Sequence, residues 1–231
     1  MASACDLAEV ARLVERRRSA GPSAVLVGLS GIDGADEGFL AAELRRELEG
    51  SALRVALINV DGWLNLPAVR FSPDDPAEHF YQHALRLDEL FSDLVLPLRL
   101  RRTHRLVARH AEETAADYCD HLYDFREVDV VLLEGIFIYK RAYRSYFDLA
   151  LWIDCSFETA LERALRRGQE GLPPAETIAA YERIYFPAQQ IHSRRDEPRS
   201  LADGIVLNDQ RLSAARARLL ETESGGDRTS W

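Results

Sequence analysis

The sequence predicts an α/β fold: a doubly wound, mainly parallel sheet with a small antiparallel excursion and a helical lid. Three observations predict it. Near-continuous apolar strands at 24–29 and 53–60 bracket an amphipathic helix, the pattern of a parallel βαβ unit buried on both faces. Further apolar strands at 128–133, 149–153 and 204–208 alternate with helical periodicity. The loop at 30–36, Asp61 and Glu134 each follow directly after a strand, and in such sheets these positions converge beyond the carboxyl ends.

The elements follow in order. Residues 6–18 set Leu7, Val10, Leu13 and Val14 on one helical face, and Gly21-Pro22 ends that helix. Strand 24–29 leads through the glycine-rich loop into a helix over 37–49, with Phe39, Leu40, Leu44 and Leu48 expected inward and Gly50 at its C-cap. Strand 53–60 ends in Asp61-Gly62-Trp63. Residues 65–75 form a loop, and 76–95 carries Phe80, Leu85, Leu87, Leu90, Phe91 and Leu94 at helical spacing. On that helix His79 and His83 stand four apart, a metal-ligand spacing without a third ligand nearby, so partly exposed helix residues are the expectation. Residues 102–109 and 121–128 have β character and form the antiparallel excursion. Ser156 is placed to cap a helix over 157–167, and 175–186 is helical after a break at Gly168 to Pro174. The expected organisation is one domain over 1–221, with the excursion at about 100–128, followed by a disordered tail at 222–231.

Composition excludes several classes. The chain has 231 residues, is 47% hydrophobic and has no run of 18 apolar residues, so a single buried core is expected and a membrane span is not. Its first residues lack the basic and apolar regions of a signal peptide, which makes a cytoplasmic location the expectation. A net charge of −9 argues against nucleic acid as a partner. Cys5, Cys119 and Cys155 are scattered and suggest neither a disulfide framework nor a zinc site. Lys140 is the only lysine. The sequence leaves a homo-oligomer open.

The loop has the context of a phosphate-binding G-x-x-x-x-G-K-[ST] turn, between a buried strand and a helix N-terminus. Counted from Gly31 through Asp33 and Gly34, however, the second glycine falls on Asp36, the lysine on Glu37 and the hydroxyl residue on Gly38. Replacing a lysine by Glu37 at about 5 Å from a phosphate swings the interaction by roughly 6 kcal/mol at an effective dielectric near 20. The helix dipole returns at most about 2 kcal/mol. These charges oppose ordinary ATP binding. Asp36 is expected as the N-cap and Glu37 as a favourable first-turn residue, so that the chain fills its own anion site. Alternatively Asp33, Asp36, Glu37, Asp61 and Glu134 form a carboxylate cluster suited to Mg²⁺ or a cationic substrate.

Several segments together resemble the uridine kinase and phosphoribulokinase branch of the P-loop kinases over roughly residues 22–210. They are Gly31-Ile-Asp33, Val60-Asp-Gly-Trp-Leu-Asn65, Leu132-Leu-Glu-Gly-Ile136, Asp154 to Arg163 and Phe186-Pro-Ala-Gln-Gln-Ile-His192. The resemblance implies a phosphotransferase acting on a hydroxyl of a nucleoside or similar small molecule, with ATP and Mg²⁺ as cofactors. It implies that Asp61 takes the acceptor proton and that Glu134 lies near the magnesium ion, with both carboxylates candidates for the metal. It also implies that Arg163, Arg166 and Arg167 are lid arginines contacting phosphate, in a lid over about 163–195. The loop residues Gly31, Asp33, Gly34, Asp36, Glu37 and Gly38 then stand where the family binds its nucleotide. Three readings follow: a uridine-kinase-like phosphotransferase, a repurposed enzyme using the cleft carboxylates without ATP, or a non-catalytic binding protein.

Overall fold

Strand and helix alternate along the chain as the two periodicities require. The computed structural model describes residues 3–4 and 6–212, so the tail expected at 222–231 and the domain end expected at 221 lie outside the described residues. In order, the elements are β1 (Ser3–Ala4), α1 (Leu7–Arg18), β2 (Val25–Gly31), α2 (Glu37–Gly50) and β3 (Val55–Asn59), which passes into a 3₁₀ turn (Val60–Gly62). Next come α3 (Pro67–Arg70), α4 (Pro76–His83), α5 (87–101) and the strands β4 (His104–His110), β5 (Cys119–Phe125) and β6 (Val130–Glu134). The chain closes with α6 (Arg141–Arg144), β7 (Leu149–Asp154), α7 (Phe157–Arg167), α8 (174–196), α9 (Pro198–Leu201) and β8 (Gly204–Leu207).

Six strands form one parallel sheet in the order β1-β8-β7-β2-β6-β3, and β4-β5 is a separate antiparallel pair. The central strands read as continuous apolar runs because both of their faces are covered. Leu26, Val131, Leu133, Ala150 and Trp152 pack on one face with α4, α5 and α8. Val25, Val27, Leu29, Val130, Leu132, Leu149 and Leu151 pack on the other with α1 and α2. Each such buried aliphatic contributes about 1.5–3 kcal/mol of transfer free energy. Among the described residues no helix is long and apolar enough to cross a membrane.

Three local expectations are corrected. The helix expected over 76–95 is two helices, because the chain at 84–86 turns aside to pair with 63–65: Asn65 N donates to Ala84 O at 2.9 Å and Arg86 N to Trp63 O at 2.9 Å. Phe39, expected inward, is 61% exposed, while Leu40 beside it is buried. The helix expected over 175–186 instead runs on to Asp196 through Pro187. Both α5 and α8 contain a wide π turn, at Leu90–Val95 and Tyr181–Tyr185, each lying just before a proline, Pro97 or Pro187. Proline removes one N–H and crowds the carbonyl four residues back, and widening the turn relieves that clash without breaking the helix.

Candidate functional site

β2, β3 and β6 set the floor of the site. Glu134, the last residue of β6, is in register with Leu29 of β2 and Asn59 of β3. Directly beyond it Gly135 has φ +133°, and a Cβ there would lie 2.2 Å from Val60, so only glycine lets β6 turn away beneath β3. Ser30 Oγ donates to Gly135 O at 2.8 Å and ties the end of β2 to the same turn. Asn59 Oδ1 accepts from Asp61 N at 2.6 Å, which forms the 3₁₀ turn and brings Asp61 to the cleft wall.

The loop leaves β2 against α7. Gly34 (φ +89°) passes so close to that helix that a Cβ would lie 2.7 Å from Ala160 O. Arg163 braces the loop from below: its guanidinium reaches Asp36 Oδ2 at 2.9 Å, Gly34 O at 3.2 Å and Asn208 O at 2.8 Å. Asp36 stands at the N-cap position of α2 but in the left-handed conformation, φ 65°, and its side chain makes no capping hydrogen bond. The expected cap is therefore absent, because the Asp36 carboxylate is turned toward Arg163. Glu37 is instead the residue that folds inward. Only 7% exposed, it accepts a hydrogen bond from its own N–H, and its Oε1 comes within 3.2 Å of where a Cβ on Gly31 would lie.

A cavity of about 250 Å³ opens in front of these residues. Seven carboxylates line it, Asp33, Asp36, Glu37, Asp61, Glu113, Glu134 and Glu170, against one cation, Arg167. Four of the seven have cationic partners. Asp33 meets Arg167 at 3.2 Å, Glu170 meets the same arginine at 3.5 Å, Asp36 meets Arg163, and Glu113 meets the buried Arg70 at 2.9 Å. Tyr181 Oη bridges Asp33 and Glu170 at 3.0 and 2.9 Å. Glu37, Asp61 and Glu134 form no ion pair among the described residues.

Burial therefore dominates their protonation. It pushes Glu134, 5% exposed, up to about 8, with Asp61 adding to the shift. Burial likewise raises Glu37 well above the ordinary carboxylate range, reinforced by Glu134, Asp33 and Asp61, and raises Asp61 and Asp33. Glu113 rises to about 7, its burial outweighing Arg70.

The expected residues thus divide. Asp33, Asp36, Glu37, Gly38, Asp61, Glu134 and Arg167 line one cavity. Arg163 is consumed in bracing the loop. Arg166 donates to Glu162 O at 3.3 Å on its own helix and lines a separate hollow with Thr159 and Asn208. The His79 and His83 rings lie 4.4 Å apart, tilted by 44°, with His79 Nε2 bonded to Val69 O. Among the described residues no group of three or more His, Cys, Asp or Glu side chains is arranged to hold a metal ion, so Asp61 and Glu134 gain no third ligand. Glu113, Gln169 and Glu170 went unread because they come from loops, where no periodicity marks them. A short glycine-bounded break carrying Gln169-Glu170 beside a lid helix was the available signal.

A second cavity of about 500 Å³ adjoins the first and shares Asn59, Asp61, Glu113 and Gln169 with it. Its far wall is the β4-β5 hairpin, which presents His110, His121 and Tyr123. Tyr123 stacks on Trp63 at 5.9 Å, and Arg86 lies over the Trp63 ring at 5.2 Å, which anchors the hairpin to the domain.

No protein-family model and no curated protein matches the chain. Solved structures do. A possible uridine kinase from Bacillus stearothermophilus aligns with a TM-score of 0.65 at 16% identity, over 86% of this chain and 99% of that one. A putative fructose transport system kinase from Silicibacter sp. aligns with a TM-score of 0.65 at 16% identity, over 87% and 98%. D-glycerate 3-kinase from Cryptococcus neoformans aligns with a TM-score of 0.57 at 16% identity, over 80% and 87%. At these identities the likeness establishes the fold alone: the chain shares the fold of these kinases.

Proposed function

We propose that this P-loop kinase fold no longer takes a nucleoside triphosphate and instead binds a small polar, hydroxyl-bearing molecule in the acceptor half of its cleft. The placement of Glu37 carries this reading. Its carboxylate is buried against Gly31, in the turn where such folds cradle phosphate. Ionised, it repels a phosphate by roughly 3 kcal/mol at an effective dielectric near 20, and it also lacks the similar attraction of a lysine. Protonated, it removes the repulsion but supplies no cation. Lys140, the only lysine, is held elsewhere, with Nζ bonded to Tyr81 O. Gly38 offers no hydroxyl to a magnesium ion. The residues present do not fit ATP with its magnesium.

The acceptor half is intact in kind. Asp61 stands between the two cavities, and the hairpin supplies aromatic faces and imidazole nitrogens suited to a ring or a hydroxyl. One observation favours catalysis over simple binding. Burial pushes Glu134 up to about 8 and also raises Asp61, so a carboxyl able to donate a proton lines the same cavity as a second titratable carboxyl. This supports a repurposed enzyme acting without ATP.

Isothermal titration with Mg·ATP tests the reading. The native protein is expected to show no saturable heat at millimolar nucleotide, whereas Asp36→Gly, Glu37→Lys and Gly38→Ser combined restore binding. A Cβ on residue 38 has room, 3.4 Å from Glu134 Oε1, and glycine suits the left-handed backbone at 36. Mg·ATP binding by the native protein would sink the proposal.

A further inference from the structure

The β4-β5 hairpin has an inner face that is packed and an outer face that is not. Leu106, Ala108, Tyr123 and Phe125 turn inward and pack against the core. Strand alternation sends the residues between them outward, in three directly opposed pairs: Arg105 with Asp124, Val107 with Leu122, and Arg109 with Asp120. All six are exposed. Val107 is 60% and Leu122 48% exposed, so two aliphatic side chains meet in water at the centre of the face. The hairpin forms no ladder with any other strand among the described residues. Its outer charges are sorted by strand, both arginines on β4 and both aspartates on β5, two residues to either side of the apolar pair. Arg109 also meets Glu89 at 3.0 Å and Asp124 meets Arg126 at 3.4 Å, but these pairs are solvated and hold their partners weakly.

We infer that this outer face docks on the same face of a second copy of the chain, about a two-fold axis parallel to the strands. Charge complementarity selects both the occupant and the axis. Rotation about that axis lays β4 over the partner's β5. Arg105 then meets the partner's Asp124, Arg109 the partner's Asp120 and Val107 the partner's Leu122, each contact made twice. A two-fold axis across the strands instead lays β4 over β4, and sets Arg105 against the partner's Arg109 and Asp124 against the partner's Asp120. Edge-to-edge pairing of β5 with β5, centred on Leu122, likewise sets Asp120 opposite the partner's Asp124, and like charges so placed are destabilising. The first arrangement answers every charge and buries both aliphatics. Packed sheets stand about 10 Å apart, a gap that an arginine facing an aspartate spans. Six side chains to a face bury less than the roughly 1,200–2,000 Å² of a stable complex, so the dimer is weak and sensitive to salt. The inner face of the same strands carries His110, His121 and Tyr123, which wall the larger cavity, so pairing the outer faces braces that wall. This holds whichever molecule the cleft takes.

The test is sedimentation equilibrium of the full chain from about 10 μM to about 1 mM, the range of a weak interface. A monomer–dimer equilibrium is expected, weakened about tenfold or more by about 0.5 M NaCl. Arg105→Asp and Asp124→Arg, each alone, should be monomeric over that range, because each sets like charges together. Mixed in equal amounts, the two variants should associate to within about threefold of the native affinity, since both contacts are again arginine with aspartate. Val107→Thr keeps the strand and is the further variant should a charge reversal unfold the hairpin, which a thermal melt checks. It should weaken the dimer by about fivefold or more. A native chain that stays monomeric at about 1 mM overturns the inference. So does a dimer that Val107→Thr and the charge reversals leave unchanged, which places the interface elsewhere. A dimer that Arg105→Asp strengthens, or mixed variants that fail to associate, overturns the axis and with it the pairing.

Discussion

Two carboxylates in this protein are equally hidden and behave in opposite ways. Asp196, 4% exposed at the end of α8, accepts from Tyr81 Oη at 2.6 Å, His192 Nδ1 at 2.7 Å and Arg141 N at 3.0 Å. It titrates below the ordinary range because those bonds outweigh its burial. Glu134, 5% exposed on the cleft floor, has no such bonds among the described residues, and burial pushes it up to about 8. Burial raises both acids; at Asp196 the three donors outweigh it, and at Glu134 burial, heavier there, prevails. The knot at the end of α8 holds structure together, while Glu134 on the cleft floor is left to its burial.

The largest effect should come from breaking the knot. Asp196→Ala strands a buried tyrosine hydroxyl, a backbone N–H and an imidazole nitrogen at once. The expected loss is about 3–5 kcal/mol, or a fall in Tm of roughly 6–20 °C, read by calorimetry. A loss under about 1 kcal/mol would mean that the hydrogen bonds merely replace water and that the contrast with Glu134 is one of geometry alone.

The opposite substitution on the cleft floor should stabilise. Glu134 binds its proton more tightly folded than unfolded, so folding stability falls as pH rises from about 4.5 to about 8 and stays low above that. Glu134→Gln removes that penalty. The variant should match the native protein near pH 5 and exceed it by about 2–4 kcal/mol at pH 9, measured by urea unfolding across pH. His192 and Asp196 are shifted down, which makes the lid knot lose stability as pH falls. The two regions therefore titrate in opposite senses. A parallel pH slope in the native protein and Glu134→Gln would break the comparison.

What was legible in the sequence follows the same division between periodic and non-periodic chain. The sheet, its flanking helices and the placement of Asp61 and Glu134 at strand ends came from near-continuous apolar runs and period-3.6 patterns, which are local. Ser156 caps α7 as its residue type requires, accepting from Thr159 N. Phe39 broke the pattern because it lines the cavity, where it is 61% exposed, instead of packing on the sheet. Arg163 and Arg167 share a helix face four residues apart, yet one braces the loop and the other enters the cleft. Their separation depends on Asp36 and Asp33 lying on different sides of the loop, a tertiary fact with no local signature. The same holds for Glu113 and Glu170, whose loops are positioned by the hairpin and the lid.

Asp36 lies between the two extremes, a carboxylate with a partner but with its side chain 42% exposed, and substituting it should have the smallest effect. Two contributions oppose each other. A left-handed backbone at a non-glycine residue costs about 1 kcal/mol, which glycine relieves, although glycine also gives the unfolded chain more freedom. The ion pair to Arg163 is half in water and is worth about 0–1 kcal/mol. Arg163 keeps Gly34 O and Asn208 O as acceptors in either case. Asp36→Gly should therefore shift Tm by less than about 2 °C in either direction. A fall of more than about 4 °C would mean that the ion pair, rather than the close packing of Gly34 on α7, fixes the loop. In that case the acidic loop would be a structural device first, and the buried Glu37 beside it would have to be read as part of the same brace.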